Sequence, residues 1–197
     1  MSTATELDSG RPSARQRLLD AANELFYDEG IQTVGIDRII EHAGVAKATL
    51  YNTFGSKEEL VRAYLQSRHA RTTDRLNAAV DAYPDPVDRV LAIFEAQGLM
   101  FAAPNFRGCA FISASAEAPS GGLVEQAADD YRDDIRALFT RLAQDAGARD
   151  PATLGHQLHL IYDGAGISAR MDHDPSAAIA ARAAAAALLD SELTNRA

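Results

Sequence analysis

Residues 33–60 read TVGIDRIIEHAGVAKATLYNTFGSKEEL, and this stretch sets how the first part of the chain is expected to fold. Apolar residues recur in it at helical spacing and predict a helix of two turns: Ile36, Ile39, Ile40 and Ala43. Gly44 comes next, a residue suited to the left-handed conformation that ends many helices. A second short helix has Leu50 and Phe54 as its inward positions and ends at Gly55. Two short helices joined by a tight turn predict a helix-turn-helix.

The outward face of the second helix carries residue types that contact DNA. It combines short hydrogen-bonding side chains with one cation: Lys47, Thr49, Asn52 and Thr53. Groups of this kind read base edges and hold phosphates. A small helical bundle with a merely solvated polar face would have the same shape, so the helix pattern alone leaves both interpretations open.

Further helices flank this pair on both sides. An amphipathic helix is expected from about Ser13 to Gly30, with one apolar face: Leu18, Ala22, Leu25 and Phe26. Residues 56–59 read Ser-Lys-Glu-Glu, a capping box. In such a box Ser56 accepts from the amide three residues on, and Glu59 reaches back to the amide of Ser56. A long helix therefore begins there and runs towards residue 80.

The rest of the chain is also expected to be helical. Asp-Pro occurs at 85–86, 150–151 and 174–175, and Asp as N-cap with Pro in the first turn marks three helix starts. Pro104 precedes a short helix over about 107–116. The sequence predicts an all-α protein with nine helices, no strand and no internal repeat.

Composition limits the class of protein. The chain has 197 residues, with 19 Lys and Arg against 28 Asp and Glu, and a formal net charge of -9. Residues 1–80 are nearly balanced, with ten basic and eleven acidic side chains, whereas the remainder has nine and seventeen. This balance argues against DNA binding by the whole surface, although phosphate binding depends on local clusters.

The sequence also suggests where the protein works. No run of about 18 apolar residues predicts a membrane span, and residues 1–17 show no secretory signal. The single cysteine fits a reducing compartment. We therefore expect a cytoplasmic protein without a membrane partner.

The string over 33–60 closely resembles the DNA-binding domain of the TetR family of bacterial transcription regulators. The residues that carry the resemblance are Ala43-Gly44-Val45, then Lys47-Ala48-Thr49-Leu50-Tyr51, Phe54, and Ser56-Lys57-Glu58-Glu59-Leu60. The resemblance covers about residues 11–72 and implies a TetR-type helix-turn-helix domain there, with a helical domain for effector binding and dimerisation at 73–197. It implies a homodimeric, sequence-specific regulator. We expect a repressor that a small hydrophobic effector releases from a palindromic operator on double-stranded DNA.

The resemblance also implies which residues contact DNA. They are Lys47, Thr49, Tyr51, Asn52, Thr53 and Lys57, with Arg38 as a further candidate. Family members vary at the positions of Asn52 and Thr53, which help to set the operator sequence, and many have His in place of Thr53. Lys57 matches a lysine that approaches a phosphate from the start of the long helix, where the helix dipole also favours an anion.

Two of these positions carry a more specific expectation. Asp37 stands where some family members place a base-reading cation, and a carboxylate faces phosphate poorly, so the neighbouring Arg38 is expected to substitute. The Tyr51 ring is expected to pack in the small core with its hydroxyl free for phosphate.

The second part of the chain offers candidates for an effector pocket between helices. They are Phe94, Met100, Phe101, Phe106, Phe111, Phe139 and Tyr162. Ordinary core packing is the simpler account of any single one of them. The last two helices carry a wide surface of apolar and small residues, which the resemblance implies is the dimer interface. No cofactor is expected.

Two other sensing chemistries stay open as alternatives. His156 and His159 lie three residues apart on one helix with Asp163 one turn further, so a metal-responsive regulator is conceivable, although so small a set is weak support and no metal is assigned. Cys109 would serve a redox-responsive regulator, but it lies in an apolar run without a second cysteine.

Other classes fit the sequence less well. The chain has no nucleophile-elbow pattern and no Gly-rich phosphate loop, so an enzyme is not expected. A nucleoid-type DNA binder without an effector would have no use for the acidic second part, most of which would repel DNA.

Overall fold

The computed structural model describes residues 12–194, so the predicted start of the first domain at residue 11 and the last three residues of the second lie outside it. Within this range the chain forms nine α-helices and no strand, as predicted. The helices are α1 (Ala14–Glu29), α2 (Ile36–Ala43), α3 (Lys47–Phe54), α4 (Lys57–Asp81), α5 (Pro86–Phe101), α6 (Ala110–Glu117), α7 (Leu123–Asp145), α8 (Pro151–Asp172) and α9 (Ala177–Thr194).

The chain divides into two compact units, and the boundary between Tyr64 and Leu65 lies inside α4. The predicted functional boundary after residue 72 falls in the same helix and stays a prediction.

The first unit packs α1, α2, α3 and the start of α4 around one apolar core. Its large buried side chains are Leu18, Leu25, Phe26, Ile31, Val34, Ile39, Leu50, Leu60, Val61 and Tyr64. The rings of Phe26 and Tyr64 meet edge to face with their centroids 5.6 Å apart. The Ser13 side chain accepts from the Gln16 amide and caps α1 at the predicted position.

The second unit packs α5, α7, α8 and α9 against one another, and α6 lies against α7. Its buried side chains include Ile93, Phe94, Ile135, Phe139, Leu154, Leu158 and Leu189. No glycine follows α8. The left-handed position directly after the helix is occupied by His173 (φ 54°, ψ 34°).

Two predicted helix starts are confirmed, and two lie later than expected. Asp85 and Asp150 cap α5 and α8 with their side chains. α6 begins at Ala110 in place of about residue 107, because Gly108 is left-handed (φ 97°) and interrupts the helical backbone. α9 begins at Ala177, because residues 174–176 form turns whose hydrogen bonds span three residues.

Candidate nucleic-acid interface

A tight turn joins α2 to α3. Gly44 is left-handed (φ 61°, ψ 47°), its amide donates to the carbonyl of Glu41, and the amide of Val45 donates to that of Ile40. These two bonds satisfy carbonyl groups that the end of α2 would otherwise leave without partners. Glycine adopts this conformation without steric cost. The predicted helix-turn-helix is therefore present.

α3 is anchored by one side. Leu50 is fully buried in the first unit. The Phe54 ring is half-buried and lies beneath Arg15 of α1, whose guanidinium carbon is 5.1 Å from the ring centroid. These contacts fix the rotation of α3 about its axis, so the opposite side of the helix is held towards solvent.

The opposite side presents most of the predicted DNA contacts. Lys47 and Asn52 are exposed, and Thr49 is half-buried. Tyr51 is 45% exposed. The expectation that its ring packs in the core is wrong, because successive helical residues are rotated by about 100° and Leu50 takes the inward position. Both the ring and the hydroxyl of Tyr51 are available to a ligand.

Lys47, the first residue of α3, forms an ion pair with the first turn of α2. Its Nζ lies 2.9 Å from Oδ1 of Asp37, and the two side chains are 56% and 82% exposed. The hydrogen bond that Lys47 donates to Asp37, followed by the charge of Asp37, raises the pKa of Lys47. Lys47 is therefore a cation at neutral pH, held by a pair that solvent screens and that another anion can open.

Two other predicted contacts already have partners in the first unit. Arg38 pairs with Glu29 at the end of α1. The Thr53 hydroxyl donates to the carbonyl of Thr49, one turn earlier, at 2.6 Å. In this rotamer the Thr53 proton is not offered to a phosphate, although its oxygen can still accept. Contacts of both residues with DNA stay predictions.

Lys57 begins α4 beside a capped helix end. The Ser56 hydroxyl oxygen accepts from the Glu59 backbone amide at 3.1 Å, which is the first of the two bonds of the predicted capping box. The Glu59 carboxylate was predicted to reach back to the Ser56 amide, but it pairs with Arg62. The pKa of Glu58 is lowered by a hydrogen bond from its own backbone and by one from Ser56. Among the described residues no carboxylate lies within ion-pair distance of Lys57.

Three of the predicted effector-pocket residues form one cluster in the second unit. The ring of Phe139 lies 5.9 Å from that of Phe94 and 5.8 Å from that of Tyr162, between centroids. Gln97, which the sequence analysis missed, is buried beside them and donates to the Tyr162 carbonyl at 2.8 Å. Its Oε1 has no hydrogen-bond partner within the described range. A polar residue three positions after Phe94 in an apolar helix was the available signal.

A second aromatic group contains Phe111, which stacks on Tyr131 with centroids 4.0 Å apart. The ring of His69 meets Tyr131 edge-on at 5.5 Å, and its Nε2 lies 3.0 Å from Oδ2 of Asp134. Burial raises the pKa of Tyr131 well above its ordinary value, so its phenol stays protonated. The remaining candidates are Phe101 and Phe106, whose centroids are 5.0 Å apart, and the half-buried Met100. An effector role for any of these residues stays a prediction.

The geometry gives little support to the redox and metal alternatives. Burial raises the pKa of the Cys109 thiol, and a protonated thiol is a poor nucleophile. His159 is buried whereas His156 is exposed, so the two histidines have different environments. Asp163 already accepts from Arg132 at 2.7 Å. Across residues 12–194 no three His, Cys, Asp or Glu side chains are grouped so that they could hold a metal ion.

α8 and α9 share an open groove of about 400 Å³. Small and apolar residues form much of its lining: Ile161, Ala165, Ala177, Ala180, Ala181 and Ala184. The same helices expose large apolar side chains at Leu160, Ile167, Met171 and Ile179. Exposed apolar surface of this kind is typical of protein–protein contacts.

The structure also bears on membrane association. None of the helices between residues 12 and 194 combines the length and the apolar character that crossing a bilayer requires.

Comparison with known proteins agrees with this architecture. Residues 18–64 match the sequence profile described as "Bacterial regulatory proteins, tetR family". The chain is 42% identical over 93 residues to the transcriptional activator FasR of Mycolicibacterium smegmatis, and 33% identical over 88 residues to the transcriptional repressor KstR2 of Mycobacterium tuberculosis. Each match covers 42% of that relative's length, and the alignment with FasR covers 40% of this chain and that with KstR2 43%.

Two solved structures match over nearly the whole chain. SCO4454, a TetR-family transcriptional regulator from Streptomyces coelicolor, is 33% identical with a TM-score of 0.86, over 91% of this chain and 95% of that one. A putative TetR-type transcriptional regulator from Streptomyces avermitilis is 32% identical with a TM-score of 0.82, over 92% of this chain and 98% of that one. The helix-turn-helix and the near-complete match together place the chain in the TetR family of DNA-binding transcriptional regulators.

Proposed function

We propose that this regulator is a homodimeric repressor that binds a palindromic operator and leaves it when a small hydrophobic effector binds. The observation that carries the proposal is the outward side of α3, where Lys47, Tyr51 and Asn52 are exposed on a helix that Leu50 fixes in place. A recognition helix of this kind lies in the major groove with its first residues at the base edges. We assign DNA binding to residues 11–72 and effector binding and dimerisation to residues 73–197, and we place the protein in the cytoplasm.

The experiment that tests DNA binding is selection of duplexes from a random library by the full-length protein. The selected sequences are expected to contain an inverted repeat, with half-sites about 34 Å or a multiple apart along the helix axis. Fluorescence anisotropy then gives the affinity of the selected duplex against a shuffled one. Selection of no sequence, or equal affinity for both duplexes, would contradict the proposal.

The proposal that α8 and α9 form the dimer interface is supported by the groove and by the exposed apolar side chains on the same two helices. The double substitution Leu160→Glu and Ile167→Glu places two charges on this surface and is expected to give a folded monomer in sedimentation analysis. Leu99→Glu is the matched control, because Leu99 is 79% exposed and lies on α5, outside the two helices of the proposed interface. A monomeric unaltered protein at micromolar concentration would contradict the proposal.

The effector is proposed to enter near Phe94, Phe139 and Tyr162. The aromatic rings favour an apolar body, and the unpartnered Oε1 of Gln97 favours one hydrogen-bond donor on it. A compound found by thermal-shift screening should bind more weakly to the operator complex than to the free protein, because coupling between two ligands is reciprocal. Equal affinity in calorimetry would mean that the compound is not the effector.

Transcription assays with the selected operator upstream of a reporter test the direction of regulation. FasR is named an activator and KstR2 a repressor, so relatives of this chain act in both directions. A repressor should lower reporter output, and addition of the effector should restore it.

A further inference from the structure

The ion pair between Asp37 and Lys47 joins the first turns of the two helices that form the helix-turn-helix. Asp37 is the second residue of α2 and Lys47 is the first residue of α3. The distance of 2.9 Å places a carboxylate directly against the cation that is assigned to phosphate. Asp37 is also the more exposed of the two, at 82%, so its second oxygen faces solvent at the end of α3 that approaches the bases.

This carboxylate competes with DNA for Lys47. Phosphate binding gains free energy because each cation that neutralises a phosphate releases condensed counterions from the duplex. Lys47 already has an anion beside it, so contact with a phosphate requires that the pair opens. An ionised carboxylate is an acceptor only and has nothing to offer a phosphate oxygen. Asp37 therefore weakens binding to any DNA that does not give it a new donor.

The major groove supplies suitable donors at some base pairs only. The amino groups at N4 of cytosine and N6 of adenine donate there, and carboxylates pair with the N4 group of cytosine. When Lys47 turns to a phosphate, a base amino group can replace it as the partner of Asp37. The lost ion pair between Asp37 and Lys47 is then compensated on duplexes that have such a base at this position. On all other duplexes it is not compensated.

We propose that Asp37 is a specificity-determining residue, which holds Lys47 away from phosphates and favours operators that present a base amino group, cytosine above all, to its carboxylate. The inference rests on the proposed entry of α3 into the major groove. Discrimination between sequences would then come from weaker binding to DNA without such a base, in addition to the base contact proposed for Asn52.

The test compares the unaltered protein with Asp37→Asn, which keeps the shape of the side chain, removes the charge and adds a donor. Both full-length proteins select duplexes from a random library, and each is titrated with the selected duplex and with a shuffled one at several salt concentrations. Asp37→Asn is expected to bind the shuffled duplex several-fold more tightly at low salt. On the shuffled duplex, the slope of log affinity against log salt for Asp37→Asn should steepen by about 0.9, which is the value for one additional phosphate contact. One base position per half-site should lose its preference for cytosine and shift towards adenine, because asparagine pairs with the N6 and N7 atoms of adenine.

Two controls separate this effect from general ones. Asp20→Asn makes the same change in net charge on α1 and leaves the pair with Lys47 intact, since Asp20 accepts from Gln16. It should reproduce neither the change in base preference nor the full change in slope. In a Lys47→Ala background, Asp37→Asn should no longer steepen the salt dependence. Circular dichroism melting of each variant shows whether the protein as a whole is still folded.

The outcomes distinguish this inference from the proposed function. Enrichment of an inverted repeat by the unaltered protein is the result that the proposed function requires. If Asp37→Asn enriches the same repeat with the same base preferences and the same salt slope, the inference is overturned and the proposed function stands. An equal effect of Asp20→Asn, or weaker binding of Asp37→Asn to every duplex, would also overturn it.

Discussion

A Cβ atom on Gly155 of α8 would lie 2.6 Å from Oγ1 of Thr140 in α7 and 2.8 Å from the Thr140 backbone nitrogen and Cα. Two of these three atoms belong to the backbone of α7, which cannot move aside without shifting the helix. The Thr140 hydroxyl is itself held, because it donates to the Arg136 carbonyl at 2.9 Å. The two helices therefore touch backbone to backbone here, and glycine is required for close approach and not for a turn.

Gly155→Ala is expected to lower the free energy of unfolding by about 1–3 kcal/mol, because the added methyl group overpacks this contact. Gly166→Ala in the same helix is the matched control. Its Cβ would lie at an ordinary distance of 3.8 Å from Nε2 of Gln97, and alanine should stabilise the helix by about 0.5–1 kcal/mol. Urea denaturation measures both changes. If Gly155→Ala left the free energy of unfolding unchanged or raised it, α7 and α8 would not be in backbone contact at this position.

Lys57→Ala should weaken binding to operator and shuffled DNA alike and lower the salt slope by about one counterion. The reason is that Lys57 stands at the start of α4 and has no carboxylate partner in the described part of the chain that would already neutralise it. Asn52→Ala should instead cost about 1–3 kcal/mol on the preferred operator only, because a lost base contact affects discrimination. Anisotropy titrations at several salt concentrations separate the two effects. Altered base preference with an unchanged slope in Lys57→Ala would rule out the phosphate role.

The stability of the protein should fall on mild acidification because of His159. Burial lowers the pKa of this residue, an effect that Asp163 opposes and that Arg132, Arg136 and His156 reinforce. In the unfolded chain the ring binds its proton near pH 6.5, so between that value and the folded pKa the unfolded state holds more protons. The contribution of the neutral ring is therefore complete above pH 6.5 and is lost as the pH falls towards the folded pKa.

Urea denaturation at a series of pH values from about 7.5 to 5 measures this contribution, with the window set by the ordinary histidine pKa. His159→Gln should flatten the decrease, whereas the exposed His156→Gln should reduce it only slightly, because His156 is the smallest of the causes that lower the pKa of His159. A decrease of the same steepness in His159→Gln would assign the pH dependence to other groups.

The Cys109 thiol is expected to react slowly while the protein is folded. Its pKa is raised by burial, and each unit of increase lowers the thiolate fraction about tenfold. Iodoacetamide at neutral pH should therefore alkylate the native protein more slowly than the urea-unfolded chain, and mild peroxide should leave operator affinity unchanged. Rapid native alkylation together with loss of DNA binding would favour the redox-responsive alternative.

The sequence predicted helix caps and turns, because these depend on residues that are close to one another in the chain. The N-caps at Ser13, Asp85 and Asp150 act on amides two or three residues away, so a short string of residues contains the whole interaction. The same holds for Gly44 and its turn. The string over residues 33–60 also predicted the helix-turn-helix directly. Membership of the TetR family confirms the expectation of a DNA-binding regulator and not an enzyme.

Contacts between helices were beyond the sequence pattern. Asp37 and Lys47 are ten residues apart on different helices, and Phe111 and Tyr131 come together only when α6 packs against α7. Helical periodicity tells which side of a helix is buried, but it does not tell which neighbour covers it. The predicted pocket residues therefore did not include Tyr131, which stacks on Phe111 and hydrogen-bonds to Tyr162, or the buried Gln97.

The connection between α8 and α9, which begins with the left-handed His173, should tolerate substitutions in evolution better than changes in length. Asp174 precedes Pro175 and is disfavoured in the helical region, so α8 has to stop by residue 173 whatever side chain stands there. Substitutions in this short connection leave the rotational phase of α9 untouched. An insertion or deletion of one residue would turn the α9 sequence by about 100° and move the buried Ala178 from its place. After a deletion, the exposed Ile179 would take the position of Ala178 in the interior. The connection between α8 and α9 should therefore vary in composition among close relatives while its length is retained.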